Sequence, residues 1–429
     1  MHLVRLRIEL DQQGVNGMQR LLAVGQRRQD ADRQAWGVPL QEPVHSPDVG
    51  AVGGPGGRAG AFRMPGIRQS SSAEVAGGFS SCPFGGHDQR MRILVLGGSW
   101  FLGRAIAQQG VDRGWDLWTF SRGRSGSDVP GVRAVRGDRK VHSDLKRLAD
   151  AGEWDAVIDT SSADFAPRWV LAGARALEPV SRRYVYVSTV NAYRGWPTEP
   201  LTEASELLDA PADADEEFGR DGPAATHYGV RKAGSERAVI DSYGPDRVVI
   251  LRPGVILGPG EYVGRLPWWL RRAERGGTVL APGAPDKSIQ PVDVRDVARF
   301  VLDRAAAGTG GAYNVAAPIG RETMGGLLTA CLDVTGNGGV LRWAPDQTLI
   351  EHGVRQWTEF PLWRTSAGAW AVDSTSAQAA GLRCRPLAET VADTWAWLRG
   401  GGAPVEHPRW AEHGIAPEKE ARILAALGR

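Results

Sequence analysis

The sequence predicts an α/β protein built on a doubly wound parallel sheet, and three observations carry this prediction. Short apolar runs recur along the chain from residue 91 to about residue 252. Stretches with the periodicity of amphipathic helices separate these runs, and a glycine-rich turn joins the first run directly to the first such stretch. Strands that alternate with helices favour a parallel sheet whose two faces are covered by helices.

The first predicted strand is a continuous apolar run, as expected for a strand that is buried on both faces. The predicted strands cover residues 92–96, 116–120, 132–136, 156–160, 184–188 and 248–252. A helix is predicted over Leu102–Arg113, and a second helix contains Tyr228. Beyond Pro253 strand runs become rarer and Trp and Pro more frequent, which predicts a smaller C-terminal lobe with helices near 299–304 and 390–398.

Residues 1–90 differ in composition from the rest of the chain. The stretches Gly50–Gly60 and Gln69–Ser81 are rich in Gly, Ser and Ala, and the whole segment contains Arg but no Lys. Such a segment buries too little apolar surface to offset its ordering entropy. We therefore expect 1–90 to be a disordered extension or translated upstream sequence before a true start at Met91, with a disordered regulatory arm as the alternative. Residues 91–252 should form the sheet domain and 253–429 most of the C-terminal lobe.

Composition excludes several classes of protein. A net charge of +2 over 429 residues gives no strong field toward nucleic acid or a lipid surface. Only three cysteines occur, Cys82, Cys331 and Cys384, which argues against a disulfide framework and against a zinc site. No apolar run approaches the roughly 20 residues that span a bilayer, and no leader peptide is recognisable. The sequence predicts a cytoplasmic protein without a metal, and leaves a homodimer open.

A glycine-rich loop follows the first strand. The segment Gly97–Gly103 reads GGSWFLG and leads straight into the first predicted helix. A strand, a tight glycine turn and a helix N-terminus present backbone N–H groups and the helix dipole to a pyrophosphate. We predict a dinucleotide site here, and the residues expected to form it are Gly97, Ser99, Trp100, Phe101, Leu102 and Gly103.

The end of the second strand bears on which nicotinamide cofactor is bound. An acidic residue at this point would bind the ribose hydroxyls and repel a 2′-phosphate. The sequence there is TFSRGR, with no carboxylate but with a hydroxyl and two guanidinium groups. Planar guanidinium groups suit a phosphate. This favours NADP held by Ser121, Arg122 and Arg124; NAD and a merely solvated basic loop are the alternatives.

Tyr228 and Lys232 carry the strongest chemical signal. Residues four apart share one face of a helix, so the phenol and the ammonium can address one spot. Oxidising a carbinol needs a base and reducing a carbonyl needs an acid. A tyrosine with a pKa near 10 becomes a base at neutral pH only if its phenolate is stabilised by roughly 4 kcal/mol. A neighbouring ammonium can supply part of this.

Together these features resemble the extended short-chain dehydrogenase/reductase superfamily, also called the NAD-dependent epimerase/dehydratase family, over about Met91–Leu398. The resemblance implies a Rossmann NAD(P)-binding domain with a C-terminal substrate lobe. The family loop, Gly-x-x-Gly-x-x-Gly, is matched at Gly97 and Gly103 but has Trp100 in its middle place. The indole must therefore turn away from the phosphates, or the cofactor must lie slightly farther out.

The resemblance also implies a third catalytic residue. In the family a Ser or Thr at a strand end hydrogen-bonds the substrate oxygen, four residues before an aromatic residue. Counting back from Tyr193 gives Thr189, while the adjacent Ser188 is left to point into the core. Thr189, Tyr228 and Lys232 are thus the expected catalytic set.

Further cofactor contacts are implied in the same way. Asp138 matches the residue that meets the adenine amino group, with a turn-forming role as the alternative. Thr160 and Ser161 end the fourth strand close to the cofactor ribose, and Lys232 is expected to bind the nicotinamide ribose as well. Pro253 lies in the strand that passes beside the nicotinamide.

The implied activity is hydride transfer at a carbinol or carbonyl carbon of a nucleotide-sugar-like or other polar small molecule. Reductase, epimerase and dehydratase chemistry are left open, although Asn191, where a dehydratase would have an added acid, tilts the prediction away from the last. The alternative is a non-catalytic dinucleotide-binding or RNA-associated member of the superfamily. Trp100 favours that alternative, whereas Tyr228 with Lys232 and the balanced charge oppose it.

Two groups of residues are expected to be structural rather than functional. Either Asp293 or Asp296 is interpreted as a helix cap. The scattered tryptophans could wall a substrate pocket but more often pack in a core; they are Trp268, Trp269, Trp357, Trp363 and Trp370.

Overall fold

The computed structural model describes residues 90–160, 165–221, 224–402 and 408–428. Of the predicted site residues, Ser161 lies outside these ranges. The expectations for the N-terminal segment concern residues 1–90, of which only Arg90 lies within these ranges.

The strands and helices follow in chain order. The strands are β1 Arg92–Leu96, β2 Asp116–Ser121, β3 Arg133–Arg136, β4 Ala156–Asp159, β5 Tyr184–Val187, β6 Val248–Pro253, β7 Val255–Leu257, β8 Thr278–Pro282, β9 Ser288–Ile289, β10 Pro291–Asp293, β11 Gly311–Val315, β12 Glu322–Thr323 and β13 Val340–Ala344. The helices are α1 Phe101–Asp112, α2 His142–Asp150, α3 Pro167–Leu177, α4 Ala224–Tyr243, α5 Arg265–Glu274, α6 Val294–Ala307, α7 Met324–Thr335, α8 Asp346–Glu351, α9 Thr375–Ala379, α10 Leu387–Arg399 and α11 Pro417–Leu427.

Seven parallel strands form the central sheet, in the order β11–β6–β5–β4–β1–β2–β3. The strand order reverses between β1 and β4, which is the point at which doubly wound sheets bind ligands. The register sets the carboxyl ends of the strands side by side there, with Leu96 opposite both Phe120 and Asp159. This architecture confirms the predicted fold class.

Each face of the sheet has its own apolar core. On one face Ile93, Val95 and Val185 pack with residues of α1 and α6. On the other face the alternate residues of the same strands, Leu94 and Tyr186 among them, pack with α2, α3 and α4. Burial on both faces explains why the central strands β1, β4 and β5 are almost entirely apolar.

The six predicted strands agree with the structure to within one residue at each end. The seventh strand, β11, was not predicted, because only Asn314 and Val315 of its five residues are buried. Both β11 and α6 belong to the sheet and its covering layer. Residues beyond 252 therefore complete the parallel-sheet domain before the chain continues into the C-terminal lobe.

The C-terminal lobe has a core of its own built from α5, α7 and α10. Trp269 stacks on Phe360 with ring centroids 5.7 Å apart, and Trp363 is fully buried beside them. Trp370 is also buried, so most of the tryptophans considered as pocket walls pack in this core. Asp293 caps α6 by accepting the N–H of Arg295 at 2.8 Å, in agreement with its predicted role.

Candidate cofactor-binding and catalytic site

The loop between β1 and α1 has a conformation that requires glycine. Gly97 and Gly98 have φ values of +116° and +98°, in the region that side chains rarely adopt. A Cβ on Gly98 would lie 2.6 Å from the methyl group of Thr119, and one on Gly103 would lie 2.6 Å from the nitrogen of Gly98. The turn is therefore tight enough to bring the start of α1 directly above the end of β1.

The N-terminus of α1 is open to a ligand. Its N-cap residue, Trp100, makes no side-chain capping hydrogen bond, and the first turn contains no acidic residue. The first N–H groups of a helix have no acceptor within the helix, so they and the helix dipole can bind a phosphate. Thr160 closes the other side of this crevice, with its Oγ1 donating to the carbonyl of Leu96 at 3.0 Å. These residues fit a dinucleotide at the point where the strand order reverses.

Trp100 takes the place of the family's middle glycine, and the structure shows how it is accommodated. Its indole packs on Tyr262, with ring centroids 4.4 Å apart. Phe101 meets the edge of the same ring at 5.9 Å and has a φ of +35°, which is unusual for a residue with a side chain. The indole thus has a fixed place against the loop that leads into α5, beside the helix N-terminus.

The carboxyl end of β2 is more crowded than the sequence predicts. Ser121 Oγ accepts from the N–H of Gly123 at 3.3 Å and from the guanidinium of Arg136 at 3.5 Å. Arg122 and Arg124 are exposed. Arg136 also forms an ion pair with Asp128. The segment TFSRGR itself contains no carboxylate, but the loop after β2 folds back and pairs Asp128 with Arg136.

A signal for Arg136 exists in the strand pairing. Ser121 and Arg136 are register partners at the ends of the parallel strands β2 and β3. The carboxyl ends of parallel strands lie at the same edge of a sheet. The basic residue at the end of β3 could therefore be identified from the sequence as a candidate for this site.

Asp138 follows β3 and takes the turn-forming role given as its alternative. Its Oδ1 accepts from the N–H of Lys140 at 3.0 Å, and its own N–H donates to Asp144 at 2.8 Å. The carboxylate is half-buried at the edge of the sheet where β2 and β3 end.

Helix α4 is pressed against the segment that follows β5. A Cβ on Gly229 would lie 2.0 Å from the carbonyl oxygen of Asn191, so only glycine permits this approach. Thr189 is buried and caps the turn that contains Asn191, with its Oγ accepting the Asn191 N–H at 3.3 Å and donating to Asn191 Oδ1 at 3.2 Å. The close packing holds the backbone next to Tyr228 against the turn that Thr189 begins.

Lys232 lies one turn beyond Tyr228 and is almost completely buried. Its Nζ donates to the carbonyl of Val187 at 3.0 Å and lies 5.0 Å from the centre of the Tyr186 ring. Burial lowers the pKa of Lys232 to about 8, although the negative charge of Asp159 opposes this shift. The amine is therefore tied to the end of β5, two residues before Thr189, while Tyr228 itself is half-buried.

A buried ion pair that the sequence did not reveal lies behind Lys232. Asp159 is fully buried at the end of β4 and accepts from Arg139 at 2.9 and 3.0 Å and from the Tyr184 hydroxyl at 2.6 Å. Partners 20 and 25 residues away give no local signal in the sequence. The pair fixes a negative and a positive charge close to the amine of Lys232.

A second buried network joins α4 to β6 and β11. Glu236, one turn after Lys232, accepts from Arg252 at 2.7 Å. Arg252 also donates to the hydroxyl of Tyr193 at 2.8 Å, and that hydroxyl donates to Asn314 at 2.7 Å. The aromatic residue used to locate Thr189 is thus anchored through its hydroxyl to the helix that carries Tyr228.

Pro253, the predicted contact beside the nicotinamide, is buried at the end of β6, where it pairs with Val315 of β11. A surface cleft of about 520 Å³ lies between α4 and residues 206–210, with Glu236 and Arg252 among its lining residues. None of the predicted cofactor or catalytic residues lines that cleft.

Comparison with known proteins agrees with this geometry. Residues 93–316, just over half of the chain, match the sequence model of the NAD dependent epimerase/dehydratase family. The chain belongs to this family. The family match ends with β11 and thus covers the whole nucleotide-binding sheet.

Three characterised relatives share part of the chain. A 2′-dehydrokanamycin reductase of Streptomyces kanamyceticus is 31% identical over 200 residues, which are 45% of this chain and 52% of the relative. A 2-alkyl-3-oxoalkanoate reductase of Stenotrophomonas maltophilia is 30% identical over 233 residues, or 51% of this chain and 66% of the relative. The chloroplast stem-loop binding protein of 41 kDa b of Arabidopsis thaliana is 24% identical over 232 residues, or 49% and 54%. The alignments thus span between about half and two thirds of these relatives.

Solved structures share the fold. The Bordetella bronchiseptica enzyme WbmG, in complex with NAD and UDP, superposes with a TM-score of 0.55 at 19% identity, covering 73% of this chain and 96% of that protein. Membership of the family agrees with the prediction of an NAD(P)-dependent enzyme. Within the described ranges, no helix is long and apolar enough to cross a membrane. The same residues contain no group of three or more His, Cys, Asp or Glu side chains that could hold a metal ion.

Proposed function

We propose that this protein is an NADP-dependent oxidoreductase or epimerase that transfers hydride at a carbinol or carbonyl carbon of a polar, nucleotide-sugar-like substrate. The observation that carries the proposal is the attachment of α4 to the end of β5. Lys232 binds the carbonyl of Val187 and Gly229 abuts Asn191, so the helix that bears Tyr228 is held against the turn capped by Thr189. The glycine loop follows β1, which lies two strands from β5, at the same carboxyl edge of the sheet.

The residues have distinct roles in the proposed reaction. A nicotinamide dinucleotide held by the loop Gly97–Gly103 would supply the hydride chemistry. Tyr228 exchanges a proton with the substrate oxygen, and the hydroxyl of Thr189 hydrogen-bonds that oxygen. The Lys232 ammonium stabilises the phenolate and binds the nicotinamide ribose. The hydrogen bond from Lys232 Nζ to the carbonyl of Val187 fixes the position of the amine at the end of β5, so that it can serve both the phenolate and the ribose.

The proposed preference for NADP rests on the charges at the end of β2. Arg122 and Arg124 lie in the loop that follows β2, and Arg136 ends the adjacent strand β3 opposite Ser121. Guanidinium groups bind phosphate through paired N–H donors. Ser121, also at this end, can hydrogen-bond the same group.

Reductase chemistry is the subtype best supported. Two of the relatives are named as reductases of carbonyl-bearing substrates. Thr189 has Asn191 as its neighbour, and an amide at that position supplies no acid for the elimination of water. We assign the protein to the cytoplasm because its few, widely spaced cysteines are typical of a reducing compartment.

The proposal is tested first by identifying the nucleotide bound to the protein and then by measuring its turnover of candidate substrates. The purified full-length protein would be denatured and its released nucleotide identified, and NADPH oxidation would then be followed with a panel of ketones, oxo-sugars and nucleotide sugars. Oxidation of NADPH that depends on one compound supports a reductase. Interconversion of two sugar isomers without net NADPH oxidation supports an epimerase. Failure to bind either nicotinamide cofactor would contradict the proposal.

The non-catalytic alternative keeps one supporting observation, the relative named as a chloroplast stem-loop binding protein. A gel-shift titration with a stem-loop RNA at about 0.15 M salt would test it. Binding of the RNA together with no cofactor-dependent turnover of any compound in the panel would favour this function over the enzyme.

A further inference from the structure

At the carboxyl end of β2 a third arginine, Arg136, lies beside Ser121. Arg136 reaches across from the end of β3 and donates to Ser121 Oγ at 3.5 Å. Gly123 has a φ of +69°, and a Cβ there would lie 2.6 Å from Nε of Arg136. The glycine therefore leaves room for the guanidinium to lie across the loop, next to the residue that ends β2.

Asp128 faces this guanidinium from the returning loop. The two side chains form an ion pair while remaining 47% and 31% exposed. The residues on either side of Asp128 are anchored: Val129 is buried, and the carbonyl of Ser127 accepts from Arg104 of α1 at 2.7 Å. The carboxylate is thus held over the strand end by the fold.

We infer that Arg136 is the main contact for the 2′-phosphate of NADP, and that Asp128 competes with this phosphate for the guanidinium. The inference rests on the proposed preference for NADP. The end of β2 is where the adenosine ribose of a dinucleotide meets the protein. Arg136 is the register partner of Ser121 and donates to its Oγ, whereas Arg122 and Arg124 lie on the loop beyond the strand end.

The competition follows from the chemistry of the two anions. An exposed ion pair between arginine and a carboxylate is weak, because water competes for both groups. A phosphate brings close to two negative charges and three acceptor oxygens to the same guanidinium. It therefore displaces the carboxylate, but Asp128 then remains nearby as a like charge that lowers the affinity. Bare ribose hydroxyls would suffer no such repulsion.

The inference is tested with fragments that differ only by the phosphate. Adenosine 2′,5′-bisphosphate and AMP would be titrated calorimetrically into the full-length protein and its variants. Arg136→Met should weaken binding of the bisphosphate by about ten- to a hundredfold and leave AMP unchanged. Asp128→Asn should strengthen binding of the bisphosphate by about three- to tenfold, because it removes both the competitor and the repulsion.

Arg133→Met is the matched control. Arg133 begins the same strand, is 62% exposed, and pairs with Asp116 at the opposite end of β3. Its loss removes an equal charge and should change bisphosphate binding by less than about twofold. Arg136→Lys keeps the charge without the planar fork and should fall between Arg136→Met and the wild type. Thermal melts on each variant confirm that the fold is retained.

Two results would overturn the inference about Arg136 and Asp128 without contradicting the proposed function. One is an unchanged preference for the bisphosphate in Arg136→Met, which would assign the phosphate to Arg122 and Arg124. The other is weaker AMP and NAD binding in Asp128→Asn, which would make the carboxylate a ligand of the ribose. Equal wild-type affinities for NADP and NAD would instead contradict the proposed cofactor itself, and with it the inference.

Discussion

The two ends of the candidate site are held in opposite ways. At the catalytic end, Thr189 and Lys232 are buried, and α4 approaches the turn after β5 so closely that only Gly229 fits. At the adenosine end, Arg122 and Arg124 are exposed and Arg136 is held by an exposed ion pair. One end is fixed by packing, while the other is held by charges that solvent reaches.

This difference determines how each end responds to change. Buried groups have shifted pKa values and tolerate no added atom, so single substitutions there should have large effects. Exposed charges are screened by water and salt, so substitutions there should adjust affinity by small factors. The chemistry requires a fixed geometry, whereas the choice between two cofactors can be made by a few charges.

The largest effect is expected for Tyr228→Phe. Losing the phenol would remove the proposed proton donor or acceptor, and loss of such a group typically costs about a hundred- to ten-thousandfold in turnover. Cofactor affinity should stay nearly unchanged because the phenol addresses the substrate. Steady-state kinetics with the substrate found by screening, together with cofactor titration, measures both. Near-normal turnover would end the proposed mechanism.

Tyr243→Phe is the control for that substitution. Tyr243 lies on the same helix, and its hydroxyl is 2.6 Å from Ser181 Oγ, on the face that packs in the sheet core. Removing this hydroxyl should lower stability by about 1–3 kcal/mol, while kcat should change by less than about twofold. A comparable loss of turnover in both variants would point to a general disturbance of α4.

Gly229→Ala tests whether packing fixes the catalytic end. The new methyl group would overlap the carbonyl of Asn191, so helix or turn must shift. Overpacking of this kind destabilises by about 1–3 kcal/mol, and the displaced geometry should lower turnover by more than about tenfold. Urea unfolding and kinetics measure the two effects. Gly326→Ala, in helix α7, is the control because a Cβ there meets only ordinary contacts.

The sequence predicted the buried strands and the glycine loop of the site better than the charged residues at its exposed end. Strands such as β1 and β4 lie between two helix layers, so their apolar runs identify them directly. The loop Gly97–Gly103 could be recognised because its glycines are needed for backbone geometry. These signals are local, and the structure agrees with them.

Long-range partnerships were not predictable from the same signals. Asp128 reaches Arg136 only because the loop after β2 folds back, and Arg252 meets Tyr193 across 59 residues. Asp159 gives no sign in the sequence that Arg139 will neutralise it. Such pairs depend on the register of strands and the path of loops, which apolar periodicity does not specify.

Lys232→Met should separate the two roles of the buried amine. It should weaken cofactor binding by about tenfold, because the amine no longer serves the ribose. It should also change how stability depends on pH. Between about pH 8 and the ordinary lysine value of 10.5, the unfolded wild type carries a proton on Lys232 that the folded protein has lost. Wild-type stability therefore gains a contribution as pH rises through this window.

The measurement is urea unfolding of both proteins without cofactor at about pH 7 and pH 9.5. The wild type should gain more stability than Lys232→Met over this range, since other groups titrate in both proteins and cancel in the difference. An equal gain in both would show that Lys232 keeps its usual pKa, and that the catalytic end is more hydrated than its burial indicates.

The smallest expected effect is a difference in salt dependence between the two cofactors. NADP differs from NAD only in its 2′-phosphate, for which we infer contacts with Ser121 and Arg136. Raising the salt from about 0.05 to 0.5 M shortens the screening length to a few ångströms and weakens exposed charge pairs. NADP affinity should therefore fall by about three- to tenfold more than NAD affinity. Fluorescence titrations of both cofactors at four salt concentrations measure this. In Arg136→Met the two slopes should converge. Parallel slopes in the wild type would mean that the 2′-phosphate is bound in a screened, buried pocket, and the contrast between the two ends of the site would be wrong.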